Sequence, residues 1–372
     1  MNDGWYNTLT EIRDESEEDA IINSWWDFGH WFAAIAERRV TLDGGRQNNP
    51  QAHWLGKLML TSNEDESVGI LRYLDCGANT GYNRLLEYKG DDVLVQLQSI
   101  NLLYDILPTD DRDEARSILL ESISEDEADE VLKYTHCEEL PENYFITSED
   151  MVGKSGVWAH FGAWDFERAS MFNLVHNNDK DFAVEILEER FGVDDALDKY
   201  NEIIDVDADQ WISPWPRYHD TGSCNKDGDI IKCENSMSMN APQGRVNLIY
   251  ETELDLVSEE AVVTNIIRAD TGAELDRTEG KPRKVSFVKN ETFIKKEYDG
   301  TIRGPNDREM GVAIYPSGNS YESVLSDYEL TASIFTRLFF FEEYGGLEHF
   351  EKFHRTRDVN GQKIIVWKVD WP

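Results

Sequence analysis

A change of periodicity partway along the chain constrains its fold most. Up to about residue 205 apolar residues recur at three- and four-residue spacing, as in helices that bury one face. Trp5, Leu9 and Ile12 begin the pattern, and residues 1–40 read as helical, with Asn23 or Ser24 placed to cap a second helix over 25–39. Asp43-Gly44-Gly45 and Asn48-Asn49-Pro50 mark a loop. Asn63-Glu64-Asp65-Glu66 opens a helix over 67–74, and helices are predicted at 92–106, 111–122 and 125–134, with Asp110 and Ser124 as caps. A short strand at 144–147 leads into a helix start at Ser148-Glu149-Asp150-Met151, and helical spacing returns at 179–202. From Trp211 the character changes: Trp215-Pro216, Asp227-Gly228 and Ala241-Pro242 punctuate what reads as a loop-rich insertion. β-Branched and aromatic residues then predict strands at 246–253, 261–267, 284–288, 291–297 and 310–314. A helical segment at 331–340 and a closing strand at 363–369 complete the chain, the latter expected to pair with the strand near 144. The expected class is α+β: a mainly helical core (1–205), a β-rich insertion (206–325) and a return segment (326–372) that packs on the core.

Charge excludes some functions. The 372 residues carry 74 acids against 36 basic residues, a formal net charge of −38 spread along the whole length. Phosphate backbones would be repelled, so nucleic acid is excluded as a partner. Self-repulsion on this scale calls for screening, which points to a halophilic setting; an ordinary acidic extracellular protein is the other reading. No apolar stretch reaches the roughly 20 residues a bilayer span needs, and Met1-Asn2-Asp3-Gly4 does not look like a signal peptide, so this segment is expected to be soluble. Cys76, Cys137, Cys224 and Cys233 contain no CxxC pair, which argues against zinc. Cys224 and Cys233 flank a turn, and either a cross-hairpin disulfide or two free thiols fits. Asn225–Ile230 with Glu234 has part of a calcium-loop spacing, but a plain acidic turn is the favoured reading; Asn290-Glu291-Thr292 is a glycosylation sequon.

The densest chemistry lies in Ser24-Trp25-Trp26-Asp27-Phe28-Gly29-His30-Trp31. It reads either as an aromatic helix start facing the core or as a pocket wall built of rings around one strong hydrogen-bond acceptor. A second candidate is Met151-Val152-Gly153-Lys154-Ser155-Gly156-Val157-Trp158, where positions 151, 154 and 158 share a helix face and two glycines favour a kink.

The first run resembles the Trp-Trp-Asp-Tyr-Gly motif of the catalytic subunit of oligosaccharyltransferases, with Phe28 in the tyrosine position. The second is similar to that family's kinked-helix motif, Met151 and Trp158 matching one version of it and Lys154 another. Arg39–Arg46, Trp54-Leu55-Gly56-Lys57 and the segment from Phe335 to Lys368 follow the family's order. The resemblance implies transfer of a lipid-linked glycan to the Asn of Asn-X-Ser/Thr. It implies that Trp25, Trp26, Asp27, Phe28, Gly29, Met151, Lys154 and Trp158 bind this sequon. No catalytic residue and no metal ligand is expected in this segment. The Mg or Mn ion that the family uses is expected in a transmembrane portion lying before the motif or in a separate membrane subunit. The implied partners are an acceptor protein, the lipid-linked oligosaccharide and that membrane part, at the extracytoplasmic face of the cell membrane. Two other classes fit the residues: a stand-alone peptide- or glycan-binding module, and a secreted glycoside hydrolase with paired carboxylates.

Overall fold

A computed structural model describes residues 3–45, 50–90, 93–241, 244–276 and 280–372. The chain is α+β. Its strands are β1 (Ile21–Asn23), β2 (Arg39–Val40), β3 (Asn143–Ser148), β4 (Tyr218–Asp227), β5 (Ile230–Ala241), β6 (Gly244–Asp255), β7 (Glu260–Arg268), β8 (Glu274–Asp276), β9 (Lys284–Lys289), β10 (Thr292–Glu297), β11 (Met310–Ser317), β12 (Ser320–Asp327), β13 (Phe350–Arg357) and β14 (Lys363–Val369). Among the described residues they form two sheets, one of five strands in the order β13-β14-β3-β1-β2 and one of nine in the order β10-β9-β11-β12-β4-β5-β6-β7-β8.

The five-stranded sheet joins the two ends of the chain. β3 is buried along its whole length, consistent with a central strand covered on both faces. It lies parallel to β1 and antiparallel to β14, with Trp367 opposite Phe145, so the closing strand pairs where the sequence placed it. Helix Asp3–Glu15 buries Trp5, Leu9 and Ile12 against this sheet. On the other side, helices Pro50–Leu60 and Ser155–Gly162 cross in close contact. A Cβ at Gly56 would lie 2.3 Å from the Trp158 carbonyl oxygen, and one at Gly162 would lie 2.3 Å from the Gly56 carbonyl carbon, so only glycine permits this approach. The main core runs through Trp25, Trp54, Trp158, Phe335, Phe339 and Trp367, and so includes side chains from both ends of the chain.

Several local expectations change. The helix expected over 25–39 is a 3-10 turn (Trp26–Phe28), one α turn (Gly29–Trp31) and a π turn (Phe32–Ala36), and it ends at Glu37 with φ 55°. Neither expected cap acts: Asn23 belongs to β1 and bonds Asp75, while the Ser24 hydroxyl donates to the Ile146 carbonyl on β3. Asp111, not Asp110, caps helix Arg112–Leu119, accepting from the amides of Asp113 and Glu114, whereas Ser124 forms the expected cap with Glu127. The long helical run near 190 is two helices, Lys180–Phe191 and Val193–Ile204, broken at Gly192, where φ is 87°. The stretch read as loop-rich holds β4 and β5. Alternation was concealed there because small and polar residues share the inward positions, as Asn235 does between Cys233 and Met237.

Cys224 and Cys233 face each other across β4 and β5 and are disulfide-bonded. A second disulfide joins Cys76 to Cys137, which no local spacing announces. Asp227 and Gly228 sit at the β4–β5 hairpin turn, and among the described residues no three His, Cys, Asp or Glu side chains converge as a metal shell would require. No helix of the described residues is long and apolar enough to cross a membrane.

Candidate functional site

β1 sets the position of the tryptophan run. Its last residue, Asn23, bonds into the core, and the extended Trp25 (φ −65°, ψ 147°) turns the chain into the 3-10 turn. Trp25 is buried and lies against Trp26 with ring centroids 3.9 Å apart. Phe161 meets both indoles edge-on, at 5.9 and 5.6 Å. Among the described residues the Trp26 indole N–H has no hydrogen-bond partner and its ring is half-buried, whereas Trp25, at 2% exposure, is enclosed and supports the Trp26 ring from behind. Phe28 stacks on Trp31 and tilts against Trp5, each at 4.7 Å, so the ring alone suffices there. Gly29 is required by packing: a Cβ would meet the Leu42 carbonyl oxygen at 2.4 Å and Asp43 Cα at 2.7 Å.

This arrangement turns Asp27 outward, and Lys154 meets it. Lys154 stands at the break between helices Glu149–Gly153 and Ser155–Gly162, the kink that the two glycines favoured. Its ammonium lies 2.6 Å from Asp27 Oδ1 and 3.1 Å from Asp150 Oδ2, and 5.6 Å from the centre of the Phe28 ring. The three side chains are partly exposed, at 26% for Asp27, 38% for Lys154 and 20% for Asp150, so the cluster is open to a ligand. Burial disfavours the charge on Lys154, yet its bonds to Asp27 and Asp150 outweigh that and shift its pKa upward. Lys154 approaches Asp27 at Oδ1, and a carboxylate has further acceptor sites on Oδ2.

Met151 and Trp158 lie elsewhere than expected. Both are buried, at 2% and 0% exposure, and the Trp158 indole N–H donates to the Met151 carbonyl at 2.8 Å. The Met151 sulfur lies 3.8 Å from the Ser24 hydroxyl oxygen. In this conformation they support the run from behind and present no face to a ligand. Large apolar side chains at three- and four-residue spacing are what a core demands, and the core claims these two. Two further residues belong to the site: Phe161, which supports both indoles, and Asp150, whose Oδ1 accepts from Ser148 Oγ at 2.5 Å. Asp150 was findable as an acid four residues before Lys154 on a helix.

Residues 17–168 match the family model of the STT3/PglB/AglB core domain. This stretch contains every member of the cluster just described. The chain is 36% identical over 171 residues to the dolichyl-phosphooligosaccharide-protein glycotransferase of Methanocaldococcus jannaschii, covering 45% of this chain and 18% of that protein. It is 33% identical over 172 residues to the Methanococcus voltae protein of the same description, covering 44% and 18%. The match thus spans less than a fifth of either relative. The crystal structure of the C. jejuni pglb C-terminal domain aligns over 98% of this chain and 99% of that one, at 10% identity and a TM-score of 0.43, a level that says nothing further about this chain.

Proposed function

We propose that this chain is the acceptor-recognition part of an oligosaccharyltransferase that moves a lipid-linked glycan to asparagine in Asn-X-Ser/Thr. The observation that carries this is the outward carboxylate of Asp27, approached at Oδ1 by Lys154, beside the half-buried Trp26 indole, whose N–H has no partner among the described residues. A sequon hydroxyl donates to Asp27 Oδ2 and accepts from an indole N–H, so donor and acceptor are both read. Lys154 holds the carboxylate in place and offsets one of the two negative charges of Asp27 and Asp150. A peptide lacking the hydroxyl leaves these groups unpaired, which is how a polar site discriminates. The segment binds and orients the acceptor; it supplies no group to the bond-making step.

The rest of the enzyme follows from this reading. The segment works at the extracytoplasmic face of a cell membrane, beside a membrane portion that binds the lipid-linked oligosaccharide and a Mg or Mn ion. The excess of acids suits a salt-rich medium, where charge repulsion is screened.

Titration of the chain with an Asn-X-Thr peptide and its Asn-X-Ala counterpart tests the reading. A hydrogen bond to a charged group on an open surface predicts a preference of about tenfold for the threonine peptide. Trp26→Ala and Asp27→Ala are expected to abolish the preference. Equal binding of the two peptides by the unaltered chain removes the assignment.

A further inference from the structure

An open cavity of about 650 Å³, of mixed polar and apolar lining, lies where helix Ala208–Ile212, the segment Ser213–Arg217, β4 and the end of β12 meet the turn at Pro305. The Trp-Trp-Asp run takes no part in it.

Its floor is a group of charged and polar side chains centred on Asp327. The Asp327 side chain is 0% exposed, accepts from the Arg217 backbone N–H at 3.1 Å, and lies 3.0 Å from His219 Nε2 and 2.9 Å from Arg308 Nε. Arg308 also pairs with Glu329 at 2.7 Å. Most of these groups meet a partner within the set; Arg308 Nε, close to Asp327 but not aligned for a hydrogen bond, and Glu329 Oε2 do not.

The rim is different. Trp215 is 41% exposed, and among the described residues it is the only tryptophan in the set of exposed large apolar side chains. The His160 ring covers one of its faces, with centroids 3.9 Å apart and planes 14° from parallel. Pro214 and Pro216 flank it and stiffen the backbone that presents it. Asp209, Gln210 and Arg217 line the same cavity, and none of these side chains has a hydrogen bond or ion pair among the described residues. An unpaired guanidinium is notable where acids outnumber basic residues 74 to 36.

A flat ring beside a guanidinium, an amide and a carboxylate suits one ligand class. A pyranose packs its C–H face on an indole while its hydroxyls give and accept hydrogen bonds at the edge. A bare phosphate would leave Trp215 unused and would meet Asp207, Asp209 and Asp327. The volume accommodates about one or two sugar rings.

We propose that this cavity is a saccharide-binding subsite, with Trp215 as the stacking platform and Asp209, Gln210 and Arg217 reading hydroxyls. If the oligosaccharyltransferase reading holds, the subsite takes sugar residues of the transferred glycan. The experiment uses sugar alone, so its outcome is independent of the peptide titration.

The full chain is titrated with N,N′-diacetylchitobiose, cellobiose, maltose and a glucuronate disaccharide, followed by saturation-transfer NMR and calorimetry. At least one is expected to bind in the millimolar range, with transfer strongest to the C–H face of one ring. Trp215→Ala should weaken it about tenfold, the loss expected for a stacked ring. Gln210→Ala removes an exposed side chain and should weaken the same sugar, which keeps the test decisive if the tryptophan variant misfolds. Absence of transfer from all four sugars overturns the proposal, as does unchanged affinity in both variants.

Discussion

Replacing Asp75 by asparagine should flatten the pH dependence of stability. Asp75 lies in helix Glu64–Gly77 and is buried. Its carboxyl accepts from Asn23 Nδ2 on β1 at 2.9 Å and from Asn143 Nδ2 on β3 at 2.6 Å, so one side chain clips two parallel strands just before Trp25. Burial pushes its pKa up from 3.8 to about 7, against the opposing effect of the two amide bonds. The folded value is therefore above the unfolded one. Between pH 3.8 and about 7 the native state keeps a proton that the unfolded chain releases, so stability falls as pH rises through that window. Above the window the whole penalty is present. At 1.36 kcal/mol per pH unit it amounts to about 4 kcal/mol. Asparagine at 75 does not ionise. Its amide fits because Asn23 Oδ1 and Asn143 Oδ1 both lack partners, so a turned neighbouring amide can accept its N–H. The stability of Asp75→Asn relative to the unaltered chain should thus rise by about 4 kcal/mol between about pH 4 and about pH 8. Urea unfolding followed by tryptophan fluorescence, at one fixed high salt concentration, measures it. Subtraction cancels the titration of the other acids, which both proteins share. A gap constant to within about 1 kcal/mol over that range refutes the argument.

Two other perturbations have definite outcomes. Gly29→Ala places a methyl 2.4 Å from the Leu42 carbonyl oxygen, and the backbone there (φ −53°) would otherwise accept alanine. Overpacking should cost about 1–3 kcal/mol, read as a lower thermal midpoint, and the shifted turn should weaken Asn-X-Thr binding. Replacing Cys76 and Cys137 by serine opens a link spanning 61 residues, worth about 4 kcal/mol in chain entropy. The Cys224–Cys233 pair spans 9 residues and is worth about 2.5 kcal/mol, so urea midpoints should fall further for the first double variant. The reverse order would show that strain or residual structure, not loop length, governs these links.

The sequence by itself determined most of what depends on neighbours along the chain. The closing strand at 363–369, the short strand near 144, the cap at Ser124 and a kink between Met151 and Trp158 were all legible, because propensity, caps and periodicity act over a few residues. The outward Asp27 was legible as an acid in an aromatic run. Contacts between distant segments decided the remainder. Residues 25–39 have a helical pattern, but the pull of β1 toward β3 and the approach of Gly29 to Leu42 divide them into three kinds of turn. Spacing alone made Met151, Lys154 and Trp158 equivalent on one helix face. Only the assembled core, with Gly56 against Gly162, shows which of them it encloses and which it leaves to reach Asp27. A helix face is fixed by spacing along the chain, but whether it meets protein or water depends on segments far away in sequence, and that information exists only once they have packed.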